Sequence, residues 1–122
     1  MKNENITNNT FNNKYMTKDE LKDILKNPND KLIAVDLDGV LCSGEFWGEG
    51  EPTPNERMIR QVWKWYKSGA HIIIYTARQP KYYINTHVWL VKHAVPFHGI
   101  AMQIKIGADV YIDDHALNID DI

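Results

Sequence analysis

The stretch Ile33-Ala34-Val35-Asp36-Leu37-Asp38-Gly39-Val40 constrains this chain more than any other. An apolar run stops abruptly at two aspartates separated by a single residue. Short β-rich apolar runs bounded by turn residues read as buried strands. Residues i and i+2 of a strand share a face, so Asp36 and Asp38 point the same way while Leu37 points into packing. Gly39 lets the backbone turn sharply just beyond them. Two carboxylates held this close repel each other, and a bound cation would relieve the repulsion. One can then attack while the other handles a proton. The plain alternative is a strand that ends in a solvated Asp-rich turn, since Asp and Gly are ordinary turn residues. The rest of the chain decides between the two.

Around that stretch the sequence alternates strands with helices. Thr17-Lys18-Asp19-Glu20 has the form of a capping box, opening a short helix with Leu21, Ile24 and Leu25 on one face. Asn27-Pro28-Asn29-Asp30 ends it. Residues 1–31 therefore read as an Asn-rich N-terminal extension with one helix, and residues 32–122 as the main domain. The first strand spans about Leu32 to Asp36. Leu41 to Pro54, with three glycines and two prolines, reads as a loop or small flap carrying Phe46 and Trp47. Asn55 to Ser68 is a helix with Ile59, Val62, Trp63 and Tyr66 in an apolar stripe, closed by Gly69. His71 to Thr76 is a second strand whose three consecutive isoleucines suit burial on both faces. A helix from about Lys81 to His93 follows, with Ile84, Val88 and Val91 expected toward the core. A weak strand is expected near Phe97 to Met102 and a fourth over Ala108 to Ile112.

This order argues for a parallel α/β sheet of about four strands with right-handed crossovers. In such sheets ligands sit at the carboxyl ends of the strands. Asp36, Asp38, Thr76, Asp113 and Asp114 all fall at such ends. Four carboxylates there make a hard oxygen site suited to Mg²⁺. Thr76 adds a hydroxyl, and Lys105, a few residues before the fourth strand, offsets the negative charge. Carboxylates, a cation, a hydroxyl and a lysine together suit a phosphate group.

These residues resemble the haloacid dehalogenase (HAD) superfamily of phosphohydrolases. Asp36-Leu37-Asp38-Gly39-Val40 matches its first motif, Thr76 the second, Lys105 the third, and Tyr111-Ile112-Asp113-Asp114 the fourth. The likeness runs from about Leu32 to Ala116. It implies a Rossmannoid three-layer sandwich and hydrolysis of a phosphomonoester through an aspartyl-phosphate. It further implies Asp36 as nucleophile and metal ligand. Asp38 would be acid and base, with its carbonyl on the metal. Thr76 and Lys105 would hold the phosphoryl group, and Asp113 and Asp114 would bind Mg²⁺. Ala77 and Arg78, directly after Thr76, join the substrate-binding set; for Arg78 a surface salt bridge is the plain alternative. The chain between the motifs has no room for a cap domain. The site is expected to be open, closed only by the Leu41–Pro54 flap or by a neighbouring subunit of a homo-oligomer.

Composition narrows the function classes. A hydrophobic fraction of 43% and a charged fraction of 25% over 122 residues are ordinary for one globular domain. The formal charge of −2 gives no basic field for general nucleic-acid binding. No apolar run approaches the roughly 20 residues of a membrane span. The start Met1-Lys2-Asn3-Glu4-Asn5 shows no apolar signal region, and the lone Cys42 excludes an intrachain disulfide, so the cytoplasm is the expected location. His71, His87, His93, His98 and His115 show no metal-ligand spacing as a set, and only His115, directly after Asp114, is expected near the site. The leading expectation is a Mg²⁺-dependent phosphatase for a sugar phosphate or similar small metabolite. A phosphatase for nucleotides or nucleic-acid ends is the second reading. A non-catalytic module that kept the fold is the third.

Overall fold

The computed structural model describes residues 17–43, 51–103 and 108–112. Its frame is strand β1, Leu32–Asp36, in which Ile33, Ala34 and Val35 are all fully buried. Three successive buried residues require cover on both faces, as in a parallel sheet wrapped by helices. β1 pairs in parallel with β4 (His71–Thr76) on one side and with β6 (Val110–Ile112) on the other. β5 (Gly99–Met102) pairs with the free side of β4, giving the order β5-β4-β1-β6. The expected α/β architecture with a four-stranded parallel sheet is therefore the one observed.

Helix α1, Lys18–Lys26, carries the full capping box: the Glu20 N–H donates to Thr17 Oγ1 at 3.1 Å, and the Thr17 N–H donates to Glu20 Oε1 at 3.0 Å. Leu21 is buried, with Ile24 and Leu25 packed against the same core. Helix α2, Glu56–Lys67, is capped by Asn55, whose side chain accepts from the Met58 N–H. Gly69 ends the approach to β4 at φ 92°, a left-handed conformation that costs a residue with a Cβ. A Cβ there would also lie 2.2 Å from Asn29 Oδ1, so a larger residue would have to displace that side-chain end in addition to bearing the left-handed φ.

Two helix faces differ from the sequence expectation. In α2 the buried set is Met58, Ile59, Val62 and Trp65, while Trp63 is half-buried and Tyr66 is 40% exposed. In α3, Tyr83–Lys92, the buried side chains are Thr86, Trp89 and Leu90. Ile84, Val88 and Val91, expected toward the core, are instead 66%, 57% and 62% exposed. The physical reason is Trp89. Its ring is 3% exposed, and its Nε1 donates to the Pro52 carbonyl at 3.2 Å. Trp89 and Leu90 are seated in the core, which turns the opposite side of the helix outward.

Right-handed crossovers from β1 to β4 and from β4 to β5 advance in one direction, so α2 and α3 cover the same face of the sheet. The Trp63 Nε1, which donates to the Ala94 carbonyl at 2.7 Å just past α3, ties the two helices together. On this geometry, Leu90→Ala is expected to lower stability by roughly 2–5 kcal/mol. Val88→Gln, on the exposed stripe, is expected to stay within about 0.5 kcal/mol. Urea denaturation followed by circular dichroism measures both, and an equal loss for the two would return Val88 to the core.

Candidate active site

β1 stops at Asp36, and β4 stops beside it at Thr76, because the register pairs Asp36 with Tyr75. The Leu37 N–H continues the ladder by donating to the Tyr75 carbonyl at 3.1 Å. The chain then turns through a tight loop. Gly39 sits at φ 88°, and its N–H donates to the Cys42 carbonyl at 2.9 Å, while the Leu41 and Cys42 N–H groups both donate to the Leu37 carbonyl. Leu37 is fully buried between a half-buried Asp36 and an exposed Asp38. This is the alternation expected for Asp-x-Asp at a strand end.

Beyond the turn, β2 (Cys42–Ser43) pairs antiparallel with β3 (Thr53–Pro54). The expected loop or flap thus has a short two-stranded base. The base is pinned to the body: the Asn55 N–H donates to the Leu41 carbonyl, and Pro52 accepts from Trp89. Phe46 and Trp47, assigned to the flap, lie outside the described residues.

Asp38 is held from the neighbouring strand. Arg78 grips both of its carboxylate oxygens: Nε donates to Oδ2 at 3.0 Å, and Nη2 donates to Oδ1. The Thr76 hydroxyl donates to Oδ2 at 3.4 Å and accepts from the Arg78 N–H at 3.2 Å. The Arg78 side chain is only 10% exposed, against 46% for Asp38. A bidentate guanidinium–carboxylate pair combines geometric precision with charge. Ala77 is the exposed residue between Thr76 and Arg78. The pairing of Arg78 with Asp38 itself was not foreseen. Its only sequence trace is the position of Arg78, two residues past a strand-ending threonine.

Of the other candidates, Lys105, Asp113 and Asp114 lie outside the described residues, though β6 ends at Ile112 beside Val35. Lys92, on α3, donates to both Glu51 oxygens at 3.0 and 2.9 Å. That hydrogen bond, foremost, holds the Glu51 carboxyl below its ordinary range. Among the described residues no three His, Cys, Asp or Glu side chains gather closely enough to hold a metal ion. The donors at the strand ends are nevertheless all oxygen, the set that suits a hard cation. Two of the described histidines make structural contacts: His98 Nδ1 accepts from the Ile72 N–H at 2.9 Å, and His71 lies 3.0 Å from Asp30.

Cys42 lies against the same carboxylate, with Sγ 3.9 Å from Asp38 Oδ1 and 3.6 Å from the Leu37 carbonyl. Burial first, and the Asp38 charge second, push its thiol up to about 12. Cys42 is therefore a neutral packing residue and no nucleophile. The raised value favours folding below the ordinary thiol value of 9.0, and that contribution is lost as pH climbs toward about 12. At pH 8, iodoacetamide is expected to leave Cys42 unmodified in the folded chain and to modify it rapidly in denaturant. Mass spectrometry reads the difference, and rapid labelling of folded protein would contradict the burial.

No protein-family model matches the chain, and no curated protein matches its sequence. Solved structures do match. One is a chain of the Pnkp1/Rnl/Hen1 complex, 17% identical with a TM-score of 0.60; the match covers 75% of this chain and 42% of that one. A second is a structural-genomics target from Vibrio cholerae, 30% identical with a TM-score of 0.52, matched over 74% of this chain and 85% of that one. A third is a Vibrio cholerae protein provisionally assigned as a 3-deoxy-D-manno-octulosonate 8-phosphate phosphatase. It is 20% identical with a TM-score of 0.50, over 84% of this chain and 64% of that one. The chain thus spans less than half of the first and under two thirds of the third.

Proposed function

We propose that this chain, whose fold and sequence motifs resemble those of the haloacid dehalogenase superfamily, hydrolyses phosphomonoesters. The observation that carries this reading is the meeting of Asp36 and Asp38 at the end of β1 with Thr76 and Arg78 at the end of β4. A nucleophilic carboxylate, a second carboxylate for protons, a hydroxyl and a guanidinium supply the parts that phosphoryl transfer needs.

In the proposed reaction an Asp36 oxygen attacks phosphorus, and the bond from phosphorus to the ester oxygen breaks. Asp38 gives its proton to the departing alkoxide. Asp38 then takes a proton from water, whose oxygen attacks the aspartyl-phosphate and releases inorganic phosphate with Asp36 restored. Thr76 donates to a phosphoryl oxygen throughout. A Mg²⁺ ion, held by the Asp36 carboxylate, the Asp38 carbonyl, Asp113 and Asp114, would neutralise the phosphate charge. Lys105 is assigned to the same phosphate.

Arg78 has a positioning role with a consequence. While it grips both Asp38 oxygens, that carboxylate is engaged by the guanidinium. A phosphate dianion entering the site competes for the guanidinium, frees one Asp38 oxygen, and so couples substrate binding to acid–base readiness. Arg78 is the natural switch because its planar fork fits carboxylate and phosphate equally.

The test is hydrolysis of an aryl phosphate with and without Mg²⁺. Asp36→Asn is expected to fold normally, to keep binding phosphate, and to lose turnover by several orders of magnitude; wild-type rates from it would sink the covalent route. Arg78→Ala is expected to lower kcat/KM by roughly 10²–10³, the scale of removing one stabilising donor. Arg78→Lys should recover little, because a point charge does not reproduce the two-pronged grip. A panel of phosphorylated metabolites then identifies the leaving group, for which a sugar phosphate or similar small metabolite is the leading candidate.

A further inference from the structure

The formal charge of −2 conceals a local segregation. α2 carries Arg57, Arg60, Lys64 and Lys67 against a single Glu56. Arg60, Lys64 and Lys67 fall at i, i+4 and i+7 and therefore share one exposed face. Together with Trp63 they line an open groove of ≈ 480 Å³. Like charges at these spacings repel. Among the described residues, the ion pairs are Lys26 with Asp23, His71 with Asp30, Arg78 with Asp38, and Lys92 and His93 with Glu51. None of them neutralises the three cations of the groove.

The aromatic component is fixed in place. The Trp63 indole is held by its 2.7 Å bond to the Ala94 carbonyl, and Tyr66 packs edge-on against it at 5.6 Å. Lys67 Nζ lies 5.8 Å from the Trp63 ring centroid. A half-buried ring beside cations that form no ion pair among the described residues offers a surface for stacking and a field for anions.

Spacing selects the class of ligand. Seven residues of helix separate Arg60 from Lys67, about 10 Å at ~1.5 Å per residue. One phosphate cannot reach both ends, whereas a stacked single strand, with a charge every ~3.4 Å, presents about three phosphates over that length. An anionic membrane surface would call for protruding apolar side chains, and here the ring is half-buried and tied to the Ala94 carbonyl. An aromatic platform flanked by cations is the pattern on which unpaired bases stack while their phosphates are neutralised.

We propose that the Arg60–Trp63–Lys64–Lys67 groove of α2 binds single-stranded nucleic acid. The helix begins at the base of the flap, next to the turn that carries Asp38, so the groove leads away from the candidate site along the outside of the domain.

The test is fluorescence anisotropy of the full chain with a fluorescein-labelled 12-nucleotide oligothymidylate lacking terminal phosphate, at 50 mM salt. Micromolar binding is expected, with log affinity falling against log salt at a slope of about −2, since single strands release about 0.7 counterions per phosphate. The triple variant Arg60→Gln/Lys64→Gln/Lys67→Gln should bind at least tenfold more weakly with an unchanged melting curve. Trp63→Leu should weaken binding severalfold. Because Trp63 anchors the turn after α3, the triple variant, confined to exposed side chains, keeps the test decisive if Trp63→Leu unfolds. Absence of binding at 50 mM salt, undiminished binding by the triple variant, or preference for phosphatidylserine vesicles or duplex DNA would each overturn the proposal. The assay needs no turnover, so its failure is separable from failure of the proposed hydrolysis.

Discussion

Two carboxylates one residue apart at the end of a buried strand repel each other, and much of this structure is arranged around that repulsion. β1 places Asp36 and Asp38 at the mouth because its three preceding residues are locked between β4 and β6. Leu37, fully buried between them, prevents the pair from sliding along the strand. A one-residue slip would drive a carboxylate into the core and bring Leu37 to solvent. The charge pair is thus imposed by apolar packing, and it needs a compensating charge nearby. Arg78 is the compensating group the described residues supply.

That compensation comes through the sheet rather than through local sequence. Arg78 and Asp38 are 40 residues apart, joined only because β1 and β4 run parallel with Asp36 opposite Tyr75. The low exposure of the Arg78 side chain matters here. A guanidinium screened from water interacts with a carboxylate more strongly than a surface pair, whose net value is about 0–1 kcal/mol. Cys42 beside Asp38 stays a thiol for its own reasons: its burial first and the Asp38 charge second disfavour a second anion, against the opposing pull of Arg78.

The parts of the fold legible in the sequence are those where local and tertiary demands agree. β1 and β4 begin and end where expected, since Pro28-Asn29-Asp30 and Gly69 interrupt the chain before each strand and polar residues close each one. The Thr17–Glu20 capping box is a wholly local device and was equally readable. α3 was not. Its β-branched residues form a stripe at i, i+4 and i+7, but the buried face is that of Thr86, Trp89 and Leu90, with Trp89 bonded to Pro52. The β2–β3 ribbon is two residues per strand, too short for any periodicity to register. In the site, the Asp-x-Asp turn and the strand-ending Thr76 were visible as residue types at strand ends. The Arg78 grip was not, because it depends on register across the sheet.

The flap base shows how the site and the helical layer depend on each other. Cys42 and Pro54 pair at the foot of the ribbon, and the next residue, Asn55, both donates to Leu41 and caps α2. Just before β3, Pro52 accepts from Trp89 of α3, and Glu51 pairs with Lys92 one turn away. The two ends of the segment 44–50 therefore start from fixed points, one beside Asp38 and one on α3. Trp89 is then more than a core residue. The choice that turned Ile84, Val88 and Val91 outward is the same one that anchors the flap base. Replacing the indole by an apolar ring of similar size would keep most of the buried area but leave the Pro52 carbonyl without its donor. Such a change separates packing from anchoring: the first sustains the fold, and the second holds the entrance of the site in register with the carboxylates.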